Sequence, residues 1–165
     1  YLLRDAPAVR WIDLDLPETL VIAAYWLIAA LPEVDVVLHG ERPPAELLDA
    51  DGPAGAVLLP NHLVAELPTA SADLAVNTFS FSEMPRPTLD RTLAEVTRIT
   101  RGCLLHQNMD RAGVVNRGHA RIPASDFPLH PDEWRRLHVG FDLFHGQDGD
   151  YREFLLQRRR PGPAT

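Results

Sequence analysis

Asp15 is the side chain best placed for chemistry. It closes the stretch VRWIDLDL, Val9 to Leu16, whose apolar and β-favouring residues read as a strand that ends just before Pro17. At the carboxyl end of a strand in an open α/β sheet, where ligands bind, a carboxylate can accept hydrogen bonds from ligand hydroxyls. The same carboxylate is also spaced to cap the helix that Pro17 opens, with Glu18 three residues on as in a capping box. Both roles stay open for Asp15. Asp13 is read as pointing to the other face of the strand and is set aside.

Other chemistries are excluded by residue type. All 16 basic residues are arginine, so there is no lysine for a Schiff base or a P-loop. One cysteine, Cys103, allows no internal disulfide and no cysteine-rich zinc site. The seven histidines form no HExxH pattern. Asp142 and His145 are three apart on an expected hairpin and should face opposite ways, so no metal is expected. The run Ser80-Phe81-Ser82 lacks the flanking glycines of a nucleophile elbow. A net charge of -7 argues against nucleic acid as a partner. The longest apolar run, Leu20 to Leu31, is too short to span a membrane, which takes about 20 residues. Single-cysteine usage and the lack of a signal-like start fit a reduced, cytoplasmic setting.

The elements that must position Asp15 form an α/β alternation. Tyr1 to Ala6 reads as the tail of a helix, followed by the Val9 to Leu16 strand. A helix from Pro17 to about Leu31 is apolar almost all round and is expected to be buried. Strands follow at Val34 to Leu38, Ala56 to Leu59, Asp73 to Thr78 and Cys103 to Asn108. A short helix is expected near Ala45 to Asp49. A longer one spans Pro87 to Thr100, with Gly102 as its stop signal. Arg111 to Pro128 is a long loop of the kind that carries function. A short helix at Pro131 to Leu137 then leads into a hairpin, His138 to Phe144 with Tyr151 to Arg158, around a turn at Gly146 to Asp150. One domain over residues 1–160 with a frayed tail at 161–165 is expected. Its fold class is α/β, a Rossmann-like, mostly parallel sheet finished by an antiparallel hairpin.

Three segments carry a resemblance. IDLDLPETLVIAAYWLIAALP, from Ile12, resembles the Asp-Leu-Pro-Glu segment and following helix of the putative sugar O-methyltransferases. LLPNHLVAELPTASADLAVNTFSFSEM, from Leu58, resembles their Leu-Pro-Asn turn and their Asn-Thr…Ser-Phe…Glu-Met segment. LHQNMDR, from Leu105, resembles the strand that follows. With the terminal hairpin, the similarity to class I S-adenosylmethionine-dependent methyltransferases covers nearly the whole chain.

The resemblance implies S-adenosylmethionine as cofactor and a hydroxyl of a sugar or other small molecule as methyl acceptor. It implies that Asp15 meets the ribose, and that Asn61 stands where the family has an acidic residue facing the adenine. Asn61 also fits an Asx-turn after Pro60. Asn77, Phe79 and Ser80 fall at the strand end that meets the cofactor's methionine portion, with Phe79 and Phe81 as pocket walls or core. Glu83 is the first candidate for the base that takes the hydroxyl proton, or else a cap for the next helix. His106 is the second candidate, or else a core histidine. Asp110 reads as an exposed turn residue. The acceptor is expected near the Arg111 to Pro128 loop with Phe127, Trp134 and Arg135.

One departure stands out. The family's Gly-rich turn should lie about 20 residues before Asp15, ahead of Tyr1, and no GxGxxG pattern occurs. The central first strand is therefore expected to be missing, as in a fragment of a longer enzyme. The alternative is a non-catalytic methyltransferase-like module that binds a partner or small molecule. A homo-oligomer is compatible with either.

Overall fold

The computed structural model describes residues 2–6, 8–42, 55–115, 118–142 and 150–159. The short helix expected near Ala45 to Asp49, most of the Gly146 to Asp150 turn, His145 and the 161–165 tail lie outside them. The chain forms two compact units, Tyr1–Pro68 and Thr69–Thr165.

The first unit carries helix α1 (Leu2–Asp5), strand β1 (Arg10–Asp15), helix α2 (Pro17–Ala30), strand β2 (Val36–Leu38) and strand β3 (Gly55–Pro60). Its sheet runs β1-β3-β2, with both pairings parallel. The central strand β3 reads GAVLLP, and Ala56 to Leu59 are all buried, as befits a parallel strand flanked on both sides. Leu20 and Ala24 of α2 pack on Ala56 and Leu58. Burying a leucine of this kind is worth roughly 1.5–3 kcal/mol.

Helix α2 starts from Leu16, which is extended and makes no side-chain cap, with Pro17 in the first turn. Asp15 is therefore not the cap; its carboxylate accepts the Leu16 amide at 2.7 Å. The expectation that α2 is buried all round also fails. Only Leu20 and Ala24 are buried, while Tyr25 and Trp26 are 78% and 55% exposed. A helix lying on one sheet face buries a single stripe, whatever the hydropathy of its other side.

The second unit holds strand β4 (Ala72–Thr78), helix α3 (Arg86–Ile99), strand β5 (Thr100–Met109), the two-residue strands β6 (Gly113–Val114) and β7 (Ala120–Arg121), and strands β8 (Trp134–Phe141) and β9 (Tyr151–Arg158). The sheet order is β4-β5-β9-β8. β4 is parallel to β5, and the closing hairpin β8–β9 is antiparallel, as the sequence predicts. Helix α3 turns Leu89 and Leu93, four residues apart, into a core with Leu104, Phe127, Trp134, Phe154 and Leu156. On its outer side Arg86 pairs with Asp90 at 2.7 Å.

Three local expectations change here. Residues 131–133 make only a turn, with the Glu133 and Trp134 amides both donating to the His130 carbonyl, and Trp134 already begins β8. Pairing with β9 and burial of the Trp134 ring, whose Nε1 donates to Thr97 Oγ1 at 3.2 Å, outweigh the helical tendency of that segment. Gly102 is not a helix stop: α3 passes straight into β5 at Thr100, and Gly102 lies inside the strand. The long 111–128 segment contains the β6–β7 pair and a 3-10 turn at Ala124–Asp126. Among the described residues β1 and β4 each pair with one neighbour only, so each is an edge strand.

Candidate functional site

In the first unit the parallel register sets Asp15 opposite Pro60. Asn61 opens the 3-10 turn Asn61–Glu66 directly after β3. Asp15 and Asn61 thus leave adjacent strands at one rim, the carboxyl end of a parallel sheet, where ligands of open α/β sheets bind. Asn61 is exposed and Asp15 half-buried. Asp13 and Asp15 are two apart and share a strand face, which corrects the reading that sent Asp13 to the opposite side. The Asp13 carboxyl is held above the ordinary carboxylate range, first by burial and then by the charge of Asp15.

In the second unit the carboxyl end of β4 is tied down by a polar network. Asn77 Nδ2 donates to Ser80 Oγ at 2.6 Å. Asn77 Oδ1 accepts from Asn108 Nδ2 at 3.0 Å and from the Phe81 amide at 3.4 Å. Asn108, fully buried on β5, accepts the Ser82 amide at 3.2 Å. Between them Phe79 holds a left-handed φ of 65°, a conformation that costs a non-glycine residue roughly 1–2 kcal/mol. Its amide donates to the Gln107 carbonyl at 2.7 Å, and its ring meets Tyr151 edge-on at 5.3 Å. Strained backbone of this kind clusters at ligand clamps and switch regions of proteins. Phe81, by contrast, is a core residue packed against Phe127.

Glu83 stands beside this turn, in the 3-10 segment Phe81–Glu83. Arg121 of β7 pairs with its carboxylate at 3.2 Å, and His119 Nε2 meets its backbone carbonyl at 2.8 Å. The β6–β7 pair is thereby tied to the segment that follows β4. Glu83 makes no cap for α3, whose N-cap is Pro85.

His106 goes to the core. It is 1% exposed, stacked on Phe154 at 4.7 Å and beside Phe127 at 5.3 Å, with Nδ1 buried and unpartnered. Burial pushes its pKa down to about 4, helped by Arg136 and opposed by Asp110. The unfolded chain, with an ordinary imidazole near 6.5, then binds a proton that the native state refuses. Stability should therefore be full above pH 6.5 and decline as pH falls toward 4, by on the order of 3 kcal/mol. His106→Leu should flatten this decline in urea titrations between pH 7 and 4; an unchanged pH dependence would contradict it.

Asp110 is also relocated. Its side chain is 7% exposed, pairs with Arg152 at 2.8 Å and accepts the Ser125 amide at 2.7 Å, bracing the 124–126 turn. Phe127 and Trp134, expected near the acceptor, are core residues, and Arg135 lies against Gln157 at 2.5 Å. Sequence reasoning missed Asn108, His119 and Arg121. Asn108 stood in the strand beside His106 without attracting a role. His119 and Arg121 were hidden in a segment without periodicity. Among the described residues no three metal-ligating side chains cluster, and no helix is long and apolar enough to cross a membrane.

The sequence matches no protein-family model and no curated protein. Solved structures do match. An S-adenosylmethionine dependent methyltransferase from Mesorhizobium loti superposes over 92% of this chain and 91% of its own, at TM-score 0.51 and 13% identity. The chain shares the fold of that structure. Burkholderia thailandensis 1,6-didemethyltoxoflavin-N1-methyltransferase, solved with 1,6-didemethyltoxoflavin and S-adenosylhomocysteine, matches 96% of this chain and 76% of its own, at TM-score 0.51 and 14% identity. A protein from Pyrococcus horikoshii OT3 matches 96% of this chain and 86% of its own, at TM-score 0.50 and 11% identity.

Proposed function

We propose that the protein binds S-adenosylmethionine and transfers its methyl group to a hydroxyl of a sugar or another small molecule. The observation that carries this reading is the Asp15–Pro60 register, which brings a carboxylate and the Asn61 amide to one rim of a parallel sheet. A carboxylate that accepts two hydroxyl protons suits a ribose diol, and an amide that both donates and accepts suits the edge of an adenine. The donor set therefore fits an adenosine. In the second unit, taken by itself, Asn77 and Ser80 stand at the strained turn after β4, with Ser80 Oγ able to donate to a ligand carboxylate. Phe79 is assigned to the wall of that turn.

When bound, the cofactor supplies an electrophilic methyl group on a sulfonium. The chain's own contribution is to orient the acceptor and to accept its proton. His106 is walled in by Phe127 and Phe154 and takes no part in that transfer. Glu83 anchors the β6–β7 hairpin through Arg121.

Asp15→Ala should weaken S-adenosylhomocysteine binding about tenfold or more, because a charged hydrogen-bond acceptor is worth roughly 1.5–3 kcal/mol. Calorimetric titration measures it, and equal affinity for variant and wild type would remove Asp15 from the site. The non-catalytic module is favoured by one observation, the exposed apolar side of α2, with Val21, Ile22, Tyr25 and Trp26. Binding of S-adenosylhomocysteine without methyl transfer to any hydroxylated acceptor would support it.

A further inference from the structure

We infer that the outer side of helix α2 is the contact face of a homodimer, covered in solution by α2 of a second copy. The inference goes beyond the methyl-transfer reading and stands without it. Leu20 and Ala24 turn one stripe of α2 onto Ala56 and Leu58 of the sheet. Away from that stripe the helix presents two exposed ridges at four-residue spacing, Val21–Tyr25–Ala29 and Ile22–Trp26–Ala30. Val21, Ile22, Tyr25, Trp26 and Ile28 are each between 54% and 78% exposed. All five belong to the first unit, and none of them joins its core cluster.

Area and charge both point to a second copy. The five side chains leave open on the order of 700 Å² of largely apolar surface, with Tyr25 and Trp26 the largest contributors. The largest apolar patch on a monomer is ordinarily about 300–600 Å². A standard interface covers about 800 Å² on each partner, so the open face is the size that one copy brings to a dimer. The only charge on α2 is Glu18 in its first turn, and the helix holds no Lys or Arg. In a two-fold contact a patch meets itself, so a charged patch would face its own sign. This one leaves no charge to face. A lipid surface fits less well, because helices that lie on membranes carry Lys or Arg on their polar side.

The shape of the face suits an identical helix. Ridges at four-residue spacing interdigitate with the same ridges of a partner at a crossing angle near about −50°. Ala29 and Ala30 keep one end of the face low, and Tyr25 and Trp26 are the bulky anchors toward its middle. Each chain carries a net charge of -7, so two copies repel at long range while the contact itself is neutral. Added salt screens that repulsion and should tighten the dimer, whereas it would loosen a contact built on opposite charges.

Sedimentation velocity on the full chain tests this. At about 100 µM protein a species of twice the chain's mass should dominate, with a dissociation constant of about 10 µM or tighter. Ile22→Glu combined with Tyr25→Glu sets like charges against each other across the contact and should weaken association at least about 100-fold. Both side chains point outward, so the urea midpoint of the isolated chain should hold. Hydroxyl-radical footprinting of the wild type needs no variant. Tyr25 and Trp26 should become protected as the concentration is raised through the dimer midpoint. A wild type that stays monomeric at about 100 µM would overturn the inference. So would a dimer in which Tyr25 and Trp26 stay fully labelled, or one that survives both glutamates. Flotation of a monomeric chain with phosphatidylcholine vesicles would give the face to a lipid surface and overturn it as well.

Discussion

Asn108→Ala should destabilise the second unit by about 1–3 kcal/mol and loosen the turn after β4, because it strands the buried Ser82 amide and removes a hydrogen bond from Asn77. The Ser82 amide loses its acceptor and Asn77 Oδ1 loses its strongest donor. The orphaned Ser82 amide costs roughly 1–3 kcal/mol, while Asn77 Oδ1 keeps the Phe81 amide as a donor. The left-handed Phe79 backbone is held partly by this network, so its strain is then free to relax. Urea denaturation with Trp134 fluorescence as the probe measures the loss. A variant as stable as wild type would show that the network is decoration.

Gly102→Ala should cost about 3–5 kcal/mol, among the larger effects of any single methyl group. At Gly102 the β4–β5 pairing is irregular, shifting register between Ala72 and Leu74. A Cβ there would run into the Asp73 backbone carbonyl, far inside van der Waals contact. The obstacle is main chain, so no side-chain rotation relieves it. The neighbouring Arg101–Asp73 ion pair at 2.7 Å is solvent-exposed, and Arg101→Ala should change little. Thermal melts of the two variants side by side make the comparison; equal melting temperatures would contradict it.

The strands were legible because each is a short apolar run bounded by glycine, proline or a charged residue. The order of parallel strands followed by an antiparallel hairpin could therefore be read before any coordinates. What could not be read depends on which face a neighbour covers. Helix α2 is as apolar as a fully buried helix, yet only the stripe with Leu20 and Ala24 meets the sheet. Gly102 looks like a helix stop in one dimension. Its real constraint is the Asp73 carbonyl on the adjacent strand, 29 positions earlier in the chain. Trp134 was drawn out of a helical context by its partner Arg158 across the hairpin. The rim residues Asp15 and Asn61 were found because strand ends are visible in sequence. Asn108 and His119 were missed because their roles come from hydrogen bonds to residues 26 and 36 positions away.

Among the described residues β1 and β4 each have one unpaired side, in separate sheets. An edge strand exposes a row of backbone donors and acceptors, and β4 adds the half-exposed side chains of Leu74 and Val76.

Titration of the protein with S-adenosylhomocysteine by calorimetry tests the account at its root. An adenosine site at the Asp15–Asn61 rim predicts one saturable binding event per chain, displaced by S-adenosylmethionine. A flat titration, or binding that survives replacement of both Asp15 and Asn61 by alanine, would contradict it.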